Sequence, residues 1–408
     1  MVEKDELARK AYRIIFIFGI VSLCGDIIYE GARSVNGPYL EVLGANAAIV
    51  GIITGIGEFL GYAIRLVSGY FSDRSRAYWV FAFIGYGLLI SVPLLALSGI
   101  WQIAAIFLIA ERIGKGIRSP AKDTIISQVS KRIGRGMGFG IHEALDQIGA
   151  FAGPLIFTAV FAFYSTGLAG YRLGYLLLLL PLLLCILALI WARKEAPRPE
   201  ELEALGTSDD SKNKKTQDKL TSVFWLYLGF TFLAGAGFAS FALIGYHIKV
   251  KSIFSDTMIP VLYAVAMGVD AGIALAVGKL YDKKGFAVLF MLPVFTAPIA
   301  FLAFSTSKVL VIIAVILWGC SMGTHETILR AAVADLTSIK KRGTGYGIFN
   351  TAYGLSLLAS GAVMGVLYEI SYTAVYIIAI LTQVAAAGLL IVLWKKAQNT
   401  MKDKKEKE

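Results

Sequence analysis

Long apolar blocks fill this chain, and short polar stretches part them at regular intervals. Twelve blocks can be read, over residues 14–36, 47–70, 78–98, 101–121, 137–164, 170–192, 222–247, 257–279, 286–305, 308–331, 344–369 and 373–394. Most reach about 20 residues, which at ~1.5 Å rise per residue crosses a hydrocarbon core of ~30 Å. The longer ones predict tilt or extension into the headgroups. The pattern predicts an all-α membrane protein with twelve transmembrane helices. The first block is too long and too polar at its centre for a cleaved signal peptide. The "KDEL" at residues 4–7 is not C-terminal and is no retrieval signal.

Composition agrees with the pattern. The chain has 57% hydrophobic and 16% charged residues, with mean hydropathy +0.69; soluble domains carry about a quarter charged residues. The three cysteines, Cys24, Cys185 and Cys320, all fall inside spans, so no disulfide framework is expected.

The net charge of +11 would suit a nucleic-acid partner, but its distribution points to a bilayer. Basic residues gather at the N-terminus (Lys4, Arg9, Lys10, Arg13) and after every even-numbered span. Those loops hold Arg74 and Arg76, then Lys131, Arg132 and Arg135, then Arg193 through Lys219, Lys283 and Lys284, and Lys340 to Arg342. Loops on the other side carry only Arg172, Lys249, Lys251 and Lys308. By the positive-inside rule, both termini and all even loops are expected in the cytoplasm.

The chain also reads as one design used twice. "RGMGFGI" at 135–141 returns as "RGTGYGI" at 342–348, 207 positions later. "GYFSDRSR" after the second span returns as "GKLYDKKG" after the eighth, with Gly69 and Asp73 answered by Gly278 and Asp282. Such a repeat predicts two pseudo-symmetric six-helix bundles, 1–192 and 221–396. A polar linker without apolar periodicity, 193–220, joins them, and a charged tail, 397–408, follows.

Charged residues then sort the helices. Spans 3, 6, 9 and 12 have no acidic or basic residue in their interiors and are expected to face lipid. Span 1 holds Asp26 and Glu30, span 2 Glu58 and Arg65, and span 4 Glu111, Arg112 and Lys115. Span 5 holds His142, Glu143 and Asp146, span 8 Asp270, and span 10 His325, Glu326 and Arg330. A charge at the bilayer centre costs about 2.5–3.5 kcal/mol on insertion scales. These residues are therefore expected to line a cavity, to pair, or both. Asp26, Glu30 and Arg33 share one helical stripe. Asp146, Gly149 and Gly153 share another, whose small residues predict close packing on a neighbouring helix. Glu111, Lys115, Arg118 and Lys122 form a third, which begins about 15–17 Å below the outer end of its helix. A nucleotide-binding loop is excluded there, because its first glycine position is Ile109.

Several of these segments resemble the major facilitator superfamily. "GYFSDRSR" is similar to its signature G-x-x-x-D-R-x-x-R-R/K between helices 2 and 3, through Gly69, Asp73 and Arg74. Arg112 and Gly116 match the R-x-x-x-G motif of helix 4, and "GAFAGPL" resembles the antiporter motif G-x-x-x-G-P through Gly149, Gly153 and Pro154. Leu155 and Ile156 replace the glycine pair that often follows that proline. "DIIYEGARSVNGPYL", "GKGIRSPAKD", "GFGIHEALDQIGA" and "THETILRAAVADL" resemble a subgroup of prokaryotic permeases within the superfamily. The resemblance covers nearly the whole chain. It implies alternating access by two rocking bundles, with helices 1, 4, 7 and 10 around a central site.

Roles follow for the candidate residues. Asp26 and Glu30 are expected to couple protons or bind a cation, because carboxylates in a low dielectric can load and release protons near neutral pH; a fixed salt bridge to Arg112 or Arg33 is the structural alternative. The resemblance gives Arg112 a part in protonation changes on helix 1. His142 and Asp146, one turn apart, either share a proton or make packing hydrogen bonds. His325, Glu326 and Arg330 suit a gate salt bridge or a substrate contact. Asp73, Arg74 and Asp282 suit interdomain contacts that favour one conformation. No C-x-x-C or H-x-x-x-H spacing occurs, and no metal site is assigned. Trp225, Tyr227, Phe238, Phe241 and Tyr246 suit bilayer packing or the walls of a hydrophobic pocket.

The expectation is a monomeric secondary active transporter in the inner or plasma membrane of a prokaryote. It would exchange protons for a small exported solute or drug-like compound, with the proton gradient as energy source and no cofactor. A divalent-metal exporter and a non-transporting receptor of the same architecture are the alternatives; neither an enzyme nor a nucleic-acid partner is expected.

Overall fold

The computed structural model describes residues 2–130, 133–200, 220–337 and 341–405. Lys131, Arg132, Lys340, linker residues 201–219, residues 406–408, and the side chains of Lys4, Arg135, Arg342 and the tail lie outside the described residues.

Among the described residues the chain is helical and contains no strand. Helix α1 spans Val2–Val42, α2 Ala47–Ser75, α4 Trp101–Val129 and α5 Arg135–Phe163. Helix α8 spans Met258–Lys284, α10 Lys308–Leu336, α11 Arg342–Ile370 and α12 Tyr372–Lys405. The other four are broken. Helix α3 starts as Tyr78–Gly87 and reaches Leu97 through short turns. Helix α6 comprises Leu168–Leu177 and Leu179–Glu195. Helix α7 comprises Ser222–Ala236 and Phe241–Val250. Helix α9 comprises Gly285–Phe290, Met291–Thr296 and Ile299–Ala303.

Prolines account for three of the breaks. A proline cannot donate to the carbonyl four residues back, and its ring crowds that carbonyl. Pro93 therefore disturbs Leu89, Pro181 disturbs Leu177 and Pro293 disturbs Leu289, and the irregular turns fall at those residues. In α7 the cause is the run Gly235–Ser240. The carbonyls freed there find dedicated donors: Trp318 Nε1 bonds Ala239 O at 2.9 Å and Ser360 Oγ bonds Phe238 O at 2.7 Å. Ser240 caps the second half by accepting from Leu243 N. A broken helix inside a membrane survives only where such partners exist.

Among the described residues, ten stretches are long and apolar enough to cross a membrane by length and composition. That criterion passes over α4, which is too charged, and joins α8 and α9 into one stretch of 46 residues. With α4 included and α8 and α9 taken apart, the described residues make twelve helical passages, which match the twelve apolar blocks of the sequence.

The described helices fall into two compact units. The first comprises Met1–Gly44, Ala63–Asn213 and Asp256–Ala264; the second comprises Ala45–Tyr62, Lys214–Ser255 and Val265–Glu408. Relative to halves drawn at 1–192 and 221–396, the units exchange the head of α2 for the head of α8.

In the first unit, α1 packs along α5 and α6, and α3 packs along α4. Gly149 and Gly153 of α5 abut the backbone of Leu23, Ile27 and Gly31 on α1. This is the close approach predicted for the Asp146–Gly149–Gly153 stripe. Near one end of this unit, Tyr39, Phe157, Phe161, Tyr171 and Tyr175 pack edge-on or tilted with centroids 4.8–5.5 Å apart.

In the second unit, α7 packs along α11 and α12, the counterpart of the α1 arrangement. Its core holds Phe224, Tyr227, Phe230, Leu289, Ile328 and Phe349. The head of α2 lies on α11 through glycines, with Gly51 against Gly361 and Gly55 against Leu358. Ala47 N donates to Glu369 Oε1 at 2.7 Å and fixes the start of α2.

Exposed apolar residues crowd the charge-free helices. Leu180, Leu183 and Leu187 of α6, Val80 and Ile84 of α3, Val294 and Phe301 of α9, and Ile377, Leu381 and Val384 of α12 are all exposed. Apolar exposure on this scale belongs to a lipid-facing surface.

Candidate functional site: the charged faces of α1, α4 and α5

The charges of the first unit gather around Tyr29. Its ring carries Lys115 Nζ at 3.6 Å from the centroid, the Arg112 guanidinium at 4.5 Å and the Arg33 guanidinium at 5.7 Å. An aromatic face attracts cations through its quadrupole, most strongly where water is excluded. Arg112 also donates to the Tyr29 hydroxyl. One buried tyrosine on α1 thus gathers two cations of α4 and one of its own helix.

Glu30, one position on, is buried. It faces Arg33 at 3.6 Å and accepts the hydroxyl proton of Tyr263, at the head of α8 in the same unit. Farther along α4, Glu111 lies between Arg118 at 3.5 Å and Arg112 at 3.6 Å. Arg118 also bonds Gly85 O at 3.3 Å and stands over the Tyr86 ring, which fastens α4 to α3.

Asp26 differs from these residues. It is half-buried and makes neither a hydrogen bond nor an ion pair among the described residues. The charges acting on it are Asp146, Lys115, Glu30 and Lys122. The structural alternative of a fixed bridge from α1 to Arg33 describes Glu30, not Asp26.

Lys122 Nζ donates to His142 Nε2 at 2.9 Å, and Ser22 Oγ stands 3.2 Å from the same nitrogen. An ammonium has no lone pair, so Nε2 must accept and the ring is neutral with its proton on Nδ1. His142 therefore spans α1, α4 and α5 as a hydrogen-bonding post. Asp146, one turn along, is half-buried, and Glu143 is exposed and accepts from Gln147 at 3.3 Å.

In the second unit the candidate residues are more scattered. Asp270 is buried, with its Oδ1 close to the α10 backbone at Gly323. His325 is 2% exposed and, among the described residues, has no hydrogen-bond partner at either ring nitrogen, with Phe238 at 5.1 Å and Tyr353 at 5.6 Å between ring centroids. Glu58 is half-buried on the head of α2, whereas Glu326 and Arg330 are exposed on α10.

Asp73, Arg74 and Asp282 are exposed, and Arg74 donates to Tyr70 at 2.8 Å. Gly69 lies against Pro120 of α4, and one residue before it Ser68 donates to Gly116 O at 2.8 Å. Gly278 lies against Thr327 of α10, and Pro154 is buried beside the α1–α5 contact.

Three residues with clear structural roles were not singled out from the sequence. Tyr29 and Tyr263 sit in apolar runs, where a tyrosine reads as packing. His247, in α7, is fully buried, with Nδ1 2.7 Å from the Tyr368 hydroxyl. A charge count inside the spans could have found His247; the tyrosines needed the tertiary fold.

The sequence matches the Major Facilitator Superfamily over residues 16–361. An uncharacterised protein of Mycobacterium tuberculosis is 38% identical over 387 residues, 95% of this chain and 94% of that protein. An uncharacterised MFS-type transporter of Methanocaldococcus jannaschii is 26% identical over 386 residues, 90% of this chain and 92% of that one. Among solved structures, a mutant of the nucleoside transporter NupG superposes with TM-score 0.71 at 14% identity, over 93% of this chain and 99% of that one. A bacterial homologue of the human lysosomal transporter Spinster superposes with TM-score 0.66 at 16% identity, over 94% and 95%. At such identities the structural likeness concerns the fold, and the sequence match carries the assignment: the chain belongs to the major facilitator superfamily of secondary transporters.

Proposed function

We propose that the protein is a proton-coupled antiporter that exports a small solute from a prokaryotic cell, acting as a monomer in the plasma membrane. The basic loops support an orientation with both termini in the cytoplasm. The observation that carries the coupling is Asp26: a half-buried carboxylate on α1, in the field of two lysines, with no partner of its own. Such a group can hold a proton in one state of the cycle and yield it to a bound solute in the other. Lys115 and Lys122 supply positive potential that favours the release, and Arg112, fixed on Tyr29 and Glu111, tunes the exchange from beside them. Glu30, held by Arg33 and Tyr263, is the positioning carboxylate beside it.

The test uses purified protein in liposomes with a pH-sensitive dye inside and an imposed pH gradient. Divalent metals, organic cations, organic anions and zwitterions are added in turn. Proton movement triggered by one class, and lost in Asp26→Asn, is the expected result. Solute flux that ignores the gradient, or coupling that survives Asp26→Asn, would refute the proposal.

A further inference from the structure

Asp26 and Asp146, and Lys115 and Lys122, stand outside the ion pairs of α1 and α4. Asp26 and Asp146 have no cation at ion-pair distance, and neither Lys115 nor Lys122 has a carboxylate there, among the described residues. All four are half-buried, Asp26 on α1, Lys115 and Lys122 on α4, and Asp146 on α5. Opposite charges on flexible side chains in a poor dielectric ordinarily close on one another. Here each lysine is held elsewhere: Lys115 on the Tyr29 ring at 3.6 Å, Lys122 on His142 Nε2 at 2.9 Å. Asp26 nevertheless acts on Lys115 more strongly than any other charge, as Asp146 does on Lys122. The neighbouring charges are committed, Glu30 to Arg33 and Tyr263, and Glu111 to Arg112 and Arg118.

From this arrangement we propose that the site takes a small zwitterion, with its ammonium on Asp26 and its carboxylate on Lys115. A plain organic cation would leave Lys115 without a counter-charge, and a plain anion would do the same to Asp26. A molecule bearing both charges satisfies both groups at once, and a second pair, Asp146 of α5 and Lys122 of α4, repeats the same polarity, with Lys122 about two turns beyond Lys115. The inference rests on the transporter reading for its meaning, but the binding chemistry stands by itself and is tested without transport.

The experiment measures thermal stabilisation of the purified full-length protein by ω-amino acids from 3-aminopropionate to 6-aminohexanoate. The matched alkylamines and alkanoates serve as controls. At least one amino acid should raise the melting temperature at concentrations tenfold below those at which its amine or acid acts. Lys115→Met should abolish the preference for the amino acid over the amine, and Asp26→Asn the preference over the acid. Equal stabilisation by amine and amino acid, or by acid and amino acid, overturns the proposal, as does a wild-type protein that responds to none of the series. Binding without proton movement in liposomes would leave this site standing and remove the antiport reading.

Discussion

Replacing Tyr29 separates the two tasks that its ring and its hydroxyl perform. Tyr29→Phe removes the bond to Arg112, a hydrogen bond to a charged group, worth about 1.5–3 kcal/mol, but leaves the face beneath Lys115. Tyr29→Leu removes the face as well. A cation–π contact on a partly desolvated ring is worth about 1–2 kcal/mol, and Lys115 lies closest of the three cations, at 3.6 Å. Freed from the ring, its ammonium closes on Asp26, and any ligand must then break that pair. At ~1.4 kcal/mol per tenfold change, Tyr29→Leu should weaken binding of the best-bound ω-amino acid about five- to thirtyfold beyond Tyr29→Phe. The assay is ligand-dependent thermal stabilisation of the two variants, with the intrinsic melting temperature of each as its baseline. Lys115→Met in the Tyr29→Leu background should cost less than Lys115→Met alone, since the two act through one contact. Equal affinities of the Phe and Leu variants, with additive effects in the double variant, would refute the idea that the ring holds Lys115 off Asp26.

Two further expectations concern the frame around the site. Gly153→Val places a side chain where a Cβ would already stand 2.8 Å from Gly31 N, so α1 and α5 must separate; destabilisation of about 1–3 kcal/mol should lower the melting temperature, and unchanged melting would contradict the seam. Trp318→Phe leaves the Ala239 carbonyl at the α7 break without its donor. It should cost about 1–3 kcal/mol, read as earlier melting and faster amide exchange in α7, whereas wild-type exchange there would show that the break needs no donor.

The extent of the helices was legible because crossing a bilayer demands length and apolarity, and both are local properties of sequence. Close packing of α5 on a neighbour was legible too, since Gly149 and Gly153 lie one turn apart beside Asp146 on one face, but that the neighbour is α1 was not. Partners across the fold were not. Tyr263 reaches Glu30 over 233 positions, and nothing local to either residue marks the pair. His142 read either as sharing a proton with Asp146 or as making packing hydrogen bonds, and nothing local to it marks Lys122 of α4, which the structure places on its ring nitrogen. The exchanged heads of α2 and α8 were also hidden, because each helix is continuous in sequence while its packing partners change midway.

Release of a proton from Asp26 when solute binds is the step on which the coupling rests. It is tested most directly in weakly buffered detergent solution with a pH indicator, by adding the ω-amino acid that best stabilises the purified protein. Acidification should saturate near one proton per protein molecule and vanish in Asp26→Asn. Binding with no proton release from the wild-type protein, or the same release from Asp26→Asn, would contradict it.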